Sequence, residues 1–159
     1  MKGTYVMTTF DFRDGKGPVP AHQHPNGGGW VADTAYVADT AFVGPNARVA
    51  GKAEVFGKAE VFDKAEVFDN ACVFDNARVF GTAHVYGNAR VYGNAQVFGN
   101  ACVFDYARVS GNAWVYSNAR VYNYARVYGV ACVYGNARVF GDARVSGDAE
   151  VYGYARVYE

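Results

Sequence analysis

From residue 31 onward, apolar residues recur at a fixed interval of six. Val occupies position 31, position 37 and each sixth position through 157, 22 times in succession, and Ala stands two residues before it from 35 to 155, 21 times. The unit reads A-x-V-aromatic-[GDSN]-x, as in Ala89-Arg90-Val91-Tyr92-Gly93-Asn94. Side chains of a β-strand alternate faces, so Ala and Val share the inner face, and the residue between them shares the outer face with the aromatic that follows Val. The last two positions form a turn, where Gly, Asp and Asn recur because one residue must tolerate a positive φ. A strand this short buries nothing by itself, so a fixed period predicts stacked repeats. Three hexads close a triangular coil of 18 residues, and 22 hexads make about seven coils. At a strand spacing of roughly 4.8 Å the prism is about 34 Å long.

Residues 18 apart then stack, which sorts the outward positions between Ala and Val into three columns. Face one carries Tyr36, Glu54, Cys72, Arg90, Arg108, Arg126 and Arg144; face two carries Phe42, Glu60, Arg78, Gln96, Trp114, Cys132 and Glu150. Face three carries Arg48, Glu66, His84, Cys102, Arg120, Arg138 and Arg156. The outward aromatics form unbroken ladders beside face two (Phe62, Phe80, Phe98, Tyr116, Tyr134, Tyr152) and face three (Phe68 through Tyr158), whereas the face-one ladder is interrupted by Ser110 and Ser146 around Tyr128.

Composition agrees with a narrow core: there is no Leu or Ile, although 51% of residues are hydrophobic. The 15 basic and 15 acidic residues cancel, which argues against general nucleic-acid binding and makes any charge-driven binding local. No stretch approaches the roughly 18 apolar residues of a membrane span, and the first residues lack the apolar run of a signal peptide. A cytoplasmic protein is expected. Cys72, Cys102 and Cys132 fall on different faces, too far apart for an intrachain disulfide, which fits a reducing compartment.

The register resembles the left-handed β-helix hexapeptide-repeat superfamily, the trimeric transferase-like proteins, whose unit is a small residue, any residue, an aliphatic residue and a turn. The resemblance covers residues 31–157. It implies an all-β, left-handed parallel β-helix and a homotrimer with parallel prism axes. The chain departs from that pattern in using only Val at the aliphatic position and usually Phe or Tyr after it. Most familiar members are acyltransferases with a projecting loop and a general-base His. Here the hexads are uninterrupted and His84 is the only His among them. The carbonic anhydrase branch needs three His around zinc, which one coil His cannot supply. The strict repeat also resembles phage and bacterial hexapeptide-repeat proteins, a context in which capture of a host signalling nucleotide would suit the chemistry.

Residues 1–30 precede the repeat and are expected to cap the open edge of residues 31–159. They contain an expected strand from Thr4 to Phe12, a turn at Asp14-Gly15-Lys16-Gly17 and a Gly run, Gly27–Gly29, leading into the first coil. The repeat runs to the end of the sequence, so the last coil is expected to meet a partner, end to end or through a neighbour's arm. His22 and His24 have a chelating spacing, but no Asp, Glu or Cys completes a ligand set nearby in sequence, and no metal or other cofactor is expected. Glu54, Glu60 and Glu66, with Lys52, Lys58 and Lys64 in the turns, read as a solvated ring of ion pairs.

Four consecutive arginines in one column repel one another unless anions sit among them. Arg90, Arg108, Arg126 and Arg144, with Tyr92 and Tyr128 available to stack on a base or sugar, are therefore the candidate binding site for an anionic small molecule, nucleotide-like or an acidic glycan. Long aromatic ladders predict exposed apolar area beyond what monomers tolerate. Face two carries the fewest charges, so Trp114, Cys132, Phe80, Phe98, Tyr116 and Tyr134 are the candidate subunit interface. The sequence thus predicts a non-enzymatic oligomeric β-helix that sequesters an anion. Two alternatives stay open: a purely structural or assembly module, and an acyltransferase using His84.

Overall fold

The computed structural model describes residues 7–159. Residues 4–6 of the expected Thr4–Phe12 strand lie outside the described residues; the rest contains β1 (Thr9–Phe10), followed by β2 (Val19–Gln23) and β3 (Trp30–Ala32). After β3, every hexad contributes one strand of two or three residues, from Tyr36–Val37 to Arg156–Tyr158. Strands 18 residues apart pair in parallel, for example Cys72 with Arg90 and Val73 with Val91. The result is an all-β solenoid of about seven stacked coils, with three sheets of ten, seven and seven strands.

The repeat explains the core directly. Every Ala from 41 to 137 and every Val from 43 to 139 at the two inward positions is fully buried, in one continuous cluster. Between strands, the first turn residue has a positive φ at all 18 positions from Gly51 to Gly153, whether Gly, Asp, Ser or Asn. Asp serves there by a second device: the turn N–H of the next coil points back toward it. Gly81, Gly87 and Gly93 donate to Oδ2 of Asp63, Asp69 and Asp75 at 3.1–3.2 Å.

The N-terminal segment forms an antiparallel hairpin, in which β1 pairs with β2 and β2 pairs with β3. Asp14 sits in the expected bend, its Oδ1 accepting from the Lys16 N–H at 3.0 Å. The next stretch closes the edge of the face-two sheet: Gly29 donates to the Val43 carbonyl and Val43 to that of Asn26. Gly27, at φ +114°, and Gly29 lie so close to the Val43 carbonyl that a Cβ on either would collide with it. At Ala32 and Ala50 the face-three column lacks a ring, and there the hairpin supplies one. Phe12, only 6% exposed, packs with both alanines beside Phe68, while Phe10 stacks on Trp30 at 4.6 Å.

The expected ring of Lys–Glu pairs does not form among the described residues. Glu60 instead accepts from Arg78 at 2.8 Å and Glu66 from Arg48 at 3.4 Å, both one coil away in the same column. In-register stacking brings residues 18 apart closer than those on successive turns, so the ion pairs run along the prism and not around it.

Candidate functional site

On face one the strands bring Arg90, Arg108, Arg126 and Arg144 into direct register, each opposite the next. All four are exposed, and none is among the ion pairs of the described residues. Two residues along each strand, on the same outer face, lies the aromatic column. Its rings stack from Phe56 to Phe74 to Tyr92 with centroids 4.9 Å apart and planes within 6°. The stack stops at Ser110. The backbone continues undisturbed, with the Ser110 N–H donating to the Val127 carbonyl at 2.9 Å; only the ring is missing. A cleft of about 240 Å³ opens there, lined by Tyr92, Arg108, Ser110, Arg126, Tyr128 and Arg144. All six expected binding residues thus lie on one face, and all but Arg90 line one cleft.

Two flanking residues stand outside the set that the repeat pattern singles out. Tyr106 and Tyr124 occupy the second turn position immediately before Ala107-Arg108 and Ala125-Arg126, and they stack on each other at 5.0 Å while remaining 51% and 58% exposed. That position holds Lys, Asn or Thr in the hexads from residue 52 through 100. A Tyr there is visible in the sequence as a departure from the repeat. Arg108 and Arg126 therefore project between a tyrosine pair on one side and the interrupted ladder on the other.

A family description, the YdcK Beta solenoid repeat, matches residues 83–97, 95–111 and 131–147. Those segments include Arg90, Tyr92, Arg108, Ser110 and Arg144. Comparison with curated proteins and with solved structures gave no match. The chain is a β-solenoid built on a six-residue repeat. That assignment rests on the parallel 18-residue coils together with the repeat match, and the solenoid explains why residues distant in sequence converge on one strip.

Face two carries the expected interface residues in one column and its ladder, with Trp114 in register with Cys132. Its rings Phe80, Phe98, Tyr116 and Tyr134 stack at 4.8–5.0 Å within 7° of parallel. Each therefore covers its neighbour, and all four are half-buried in the single chain. The ladder exposes ring edges and not ring faces, so the apolar area it offers is smaller than the sequence suggested. Trp114, packed edge-on to Phe98 at 6.2 Å, is 43% exposed and projects beyond the ladder.

Face three holds Arg120, Arg138 and Arg156 beside a complete ladder. Lower on that face, a cleft of about 350 Å³ lies between the hairpin loop and the coils, lined by Phe12, Lys16, Arg48, Glu66, Phe68 and His84 among others. His84 Nδ1 is 3.7 Å from Glu66.

The His-x-His pair does not converge. His22 Nδ1 meets Asp33 at 2.8 Å on the surface. His24 is 2% exposed, its Nδ1 accepts from the Asn26 N–H at 3.2 Å, and its Nε2 is buried without a partner. No group of three or more His, Cys, Asp or Glu among the described residues is arranged to hold a metal. The three cysteines are free and partly buried. Burial raises all three thiol pKa values; for Cys72 the Glu54 carboxylate adds to the rise and Arg90 opposes it, and for Cys102 Arg120 opposes it. Among the described residues no helix is long and apolar enough to cross a membrane.

Proposed function

We propose that this solenoid is a non-enzymatic binder of an anionic small molecule, held on face one by Arg90, Arg108, Arg126 and Arg144. One observation carries the reading: four arginines stand in register, exposed and without a carboxylate among the described ion pairs, at the place where the adjoining aromatic ladder opens into a cleft. Like charges directly opposite one another destabilise a sheet, and guanidinium groups bind oxyanions through paired N–H donors. An anion in the cleft reverses the sign of that interaction. The volume, about 240 Å³, falls below the roughly 300–1,000 Å³ of larger ligand pockets, which favours a small ligand over a long glycan. The chain works as a cytoplasmic homotrimer in this reading, its subunits joined through Trp114 and the ladder of face two, where none of the arginines after Arg78 lies. Native mass spectrometry in the presence of pyrophosphate tests it. A trimer is expected, with a bound anion lost in Arg108→Ala and Arg126→Ala; a monomer, or binding that survives both changes, overturns the corresponding part.

A second reading, a purely structural module, draws support from face three, where Arg120, Arg138 and Arg156 also lack an ion-pair partner among the described residues although the ladder beside them is complete. It expects those arginines and the face-one column to meet carboxylates of another subunit and expects no pyrophosphate binding. An acyltransferase reading rests on His84 beside Glu66 in the larger cleft; it expects turnover of acetyl-CoA that disappears in His84→Ala.

A further inference from the structure

We propose that Ser110 marks a vacant rung in the face-one ladder, and that the anion bound there carries a planar aromatic ring which occupies the vacancy between Tyr92 and Tyr128. The inference rests on the anion-binding reading above and specifies the ligand class.

Wherever successive coils carry rings in one column, those rings stack at 4.8–5.4 Å, nearly parallel, over three separate ladders. The coil spacing thus imposes an offset-stacked geometry that aromatic pairs favour. Tyr92 and Tyr128 belong to one column two coils apart, with Ser110 between them, and all three line the same cleft. The missing side chain leaves one ladder step open on each side of the gap, enough for a single flat ring with a tyrosine above and below. Tyr92 already has Phe74 beneath it, so it is held from below. Tyr128 has a serine on both sides, at 110 and 146, and is 38% exposed.

The molecule itself provides a precedent. In the face-three column the rings are missing at Ala32 and Ala50, and an aromatic from outside the repeat, Phe12, packs there to 6% exposure. Nothing in the described chain performs that service at Ser110. The position also holds Ser and not Ala, so the floor of the gap is polar.

The chemistry beside the gap sets the rest of the ligand. Ser110 follows directly on the strand Arg108–Val109, two residues or about 6.6 Å of extended chain from Arg108, and Tyr128 bears the same relation to Arg126. A ring seated in the gap therefore places an oxyanion attached at or near it among Arg108, Arg126 and Arg144. An aromatic phosphate or a nucleoside monophosphate has that arrangement; a sugar phosphate, a polyphosphate or an acidic glycan has the anion without the ring.

The test measures by titration calorimetry the affinities of phenyl phosphate, adenosine monophosphate and inorganic phosphate for the full chain. At least one aromatic phosphate is expected to bind about tenfold or more tightly than inorganic phosphate, within the range that stacking on aromatic side chains supplies. Ser110→Tyr, which completes the ladder with the protein's own ring, is expected to reduce that ratio to about one while raising the melting temperature. Tyr128→Leu removes one wall and is expected to lower the ratio severalfold by an independent route. If all three compounds bind equally to the unaltered protein, or if the ratio survives Ser110→Tyr and Tyr128→Leu, the vacant-rung proposal fails while the anion-binding reading stands. If none of the three binds, both fail together.

Discussion

The turn residue is where this sequence makes its least obvious choices. A positive φ costs an ordinary L-residue roughly 1–2 kcal/mol, and glycine avoids that cost, yet Asp takes the position at 63, 69, 75 and 105. Its carboxylate compensates by accepting the turn N–H of the next coil, as Asp69 does from Gly87 at 3.2 Å. Asp69→Ala loses the acceptor and keeps the strained backbone, so it is expected to destabilise by about 1–2 kcal/mol. Asp69→Gly loses the same acceptor but also relieves the strain that Asp69 carries at φ +60°, and is expected to cost less than half as much. Thermal unfolding of the two variants checks the order; equal losses would mean that backbone strain is not what the aspartate offsets. The cysteines give a second test at this scale. Burial raises the Cys102 thiol, only partly opposed by Arg120, and the thiolate is the reactive form. Iodoacetamide at about pH 7.5, below the ordinary thiol pKa, is expected to alkylate Cys102 in the folded protein several times more slowly than free cysteine, with the difference vanishing in denaturant.

At the scale of the ladder, energy follows the number of neighbours a ring has. Phe98 lies between Phe80 and Tyr116 and contributes two stacked contacts, each about 0.5–1.5 kcal/mol beyond its buried area. Phe98→Ala is expected to cost about 3 kcal/mol. Tyr128, with no ring on either side in its column, is expected to cost under about 1 kcal/mol when changed to Ala, as denaturant titration of both variants will measure. The period of six makes the inward Ala and Val, the three columns and the 18-residue coil legible in the sequence, because alternation and repetition are properties of the chain itself. The half-burial of the ladders is not legible there, since the 18-residue register fixes which rings are neighbours and not how far each ring lies over the next. Nor is the pairing of Glu60 with Arg78, where proximity along the column outweighs proximity along the chain. The candidate site is partly legible: its arginines and Tyr92 and Tyr128 follow from the register. Tyr106 and Tyr124 sit at a turn position that the repeat leaves variable, and the filling of the Ala50 gap by Phe12 depends on the path of the hairpin.

Over the whole molecule, zero net charge conceals an uneven distribution. The seven arginines from Arg90 to Arg156 all lie on faces one and three, while Glu54, Glu60 and Glu66 occupy the earlier coils. Because the solenoid is rigidly in register, its columns cannot relax by sliding, and the repulsion within a column is stored in the folded state alone. That storage has a measurable signature. Arg126 faces both Arg108 and Arg144, and like charges directly opposite cost a few tenths to about 1 kcal/mol per pair. In about 10 mM salt, where charges interact over roughly 30 Å, Arg126→Gln is expected to raise the melting temperature by a few degrees. Arg78→Gln, which breaks the 2.8 Å pair with Glu60, is expected to lower it. Raising sodium chloride to about 150 mM, where the screening length falls to roughly 8 Å, should stabilise the unaltered protein and shrink the gain from Arg126→Gln. Sodium phosphate at the same ionic strength separates screening from binding. Any additional stabilisation over chloride that disappears in Arg126→Gln belongs to an anion held in the column, because a ligand that binds only the folded state adds stability by mass action. If Arg126→Gln instead lowers the melting temperature in low salt, the column is not strained by its own charge, and the electrostatic reason for placing an anion there is removed.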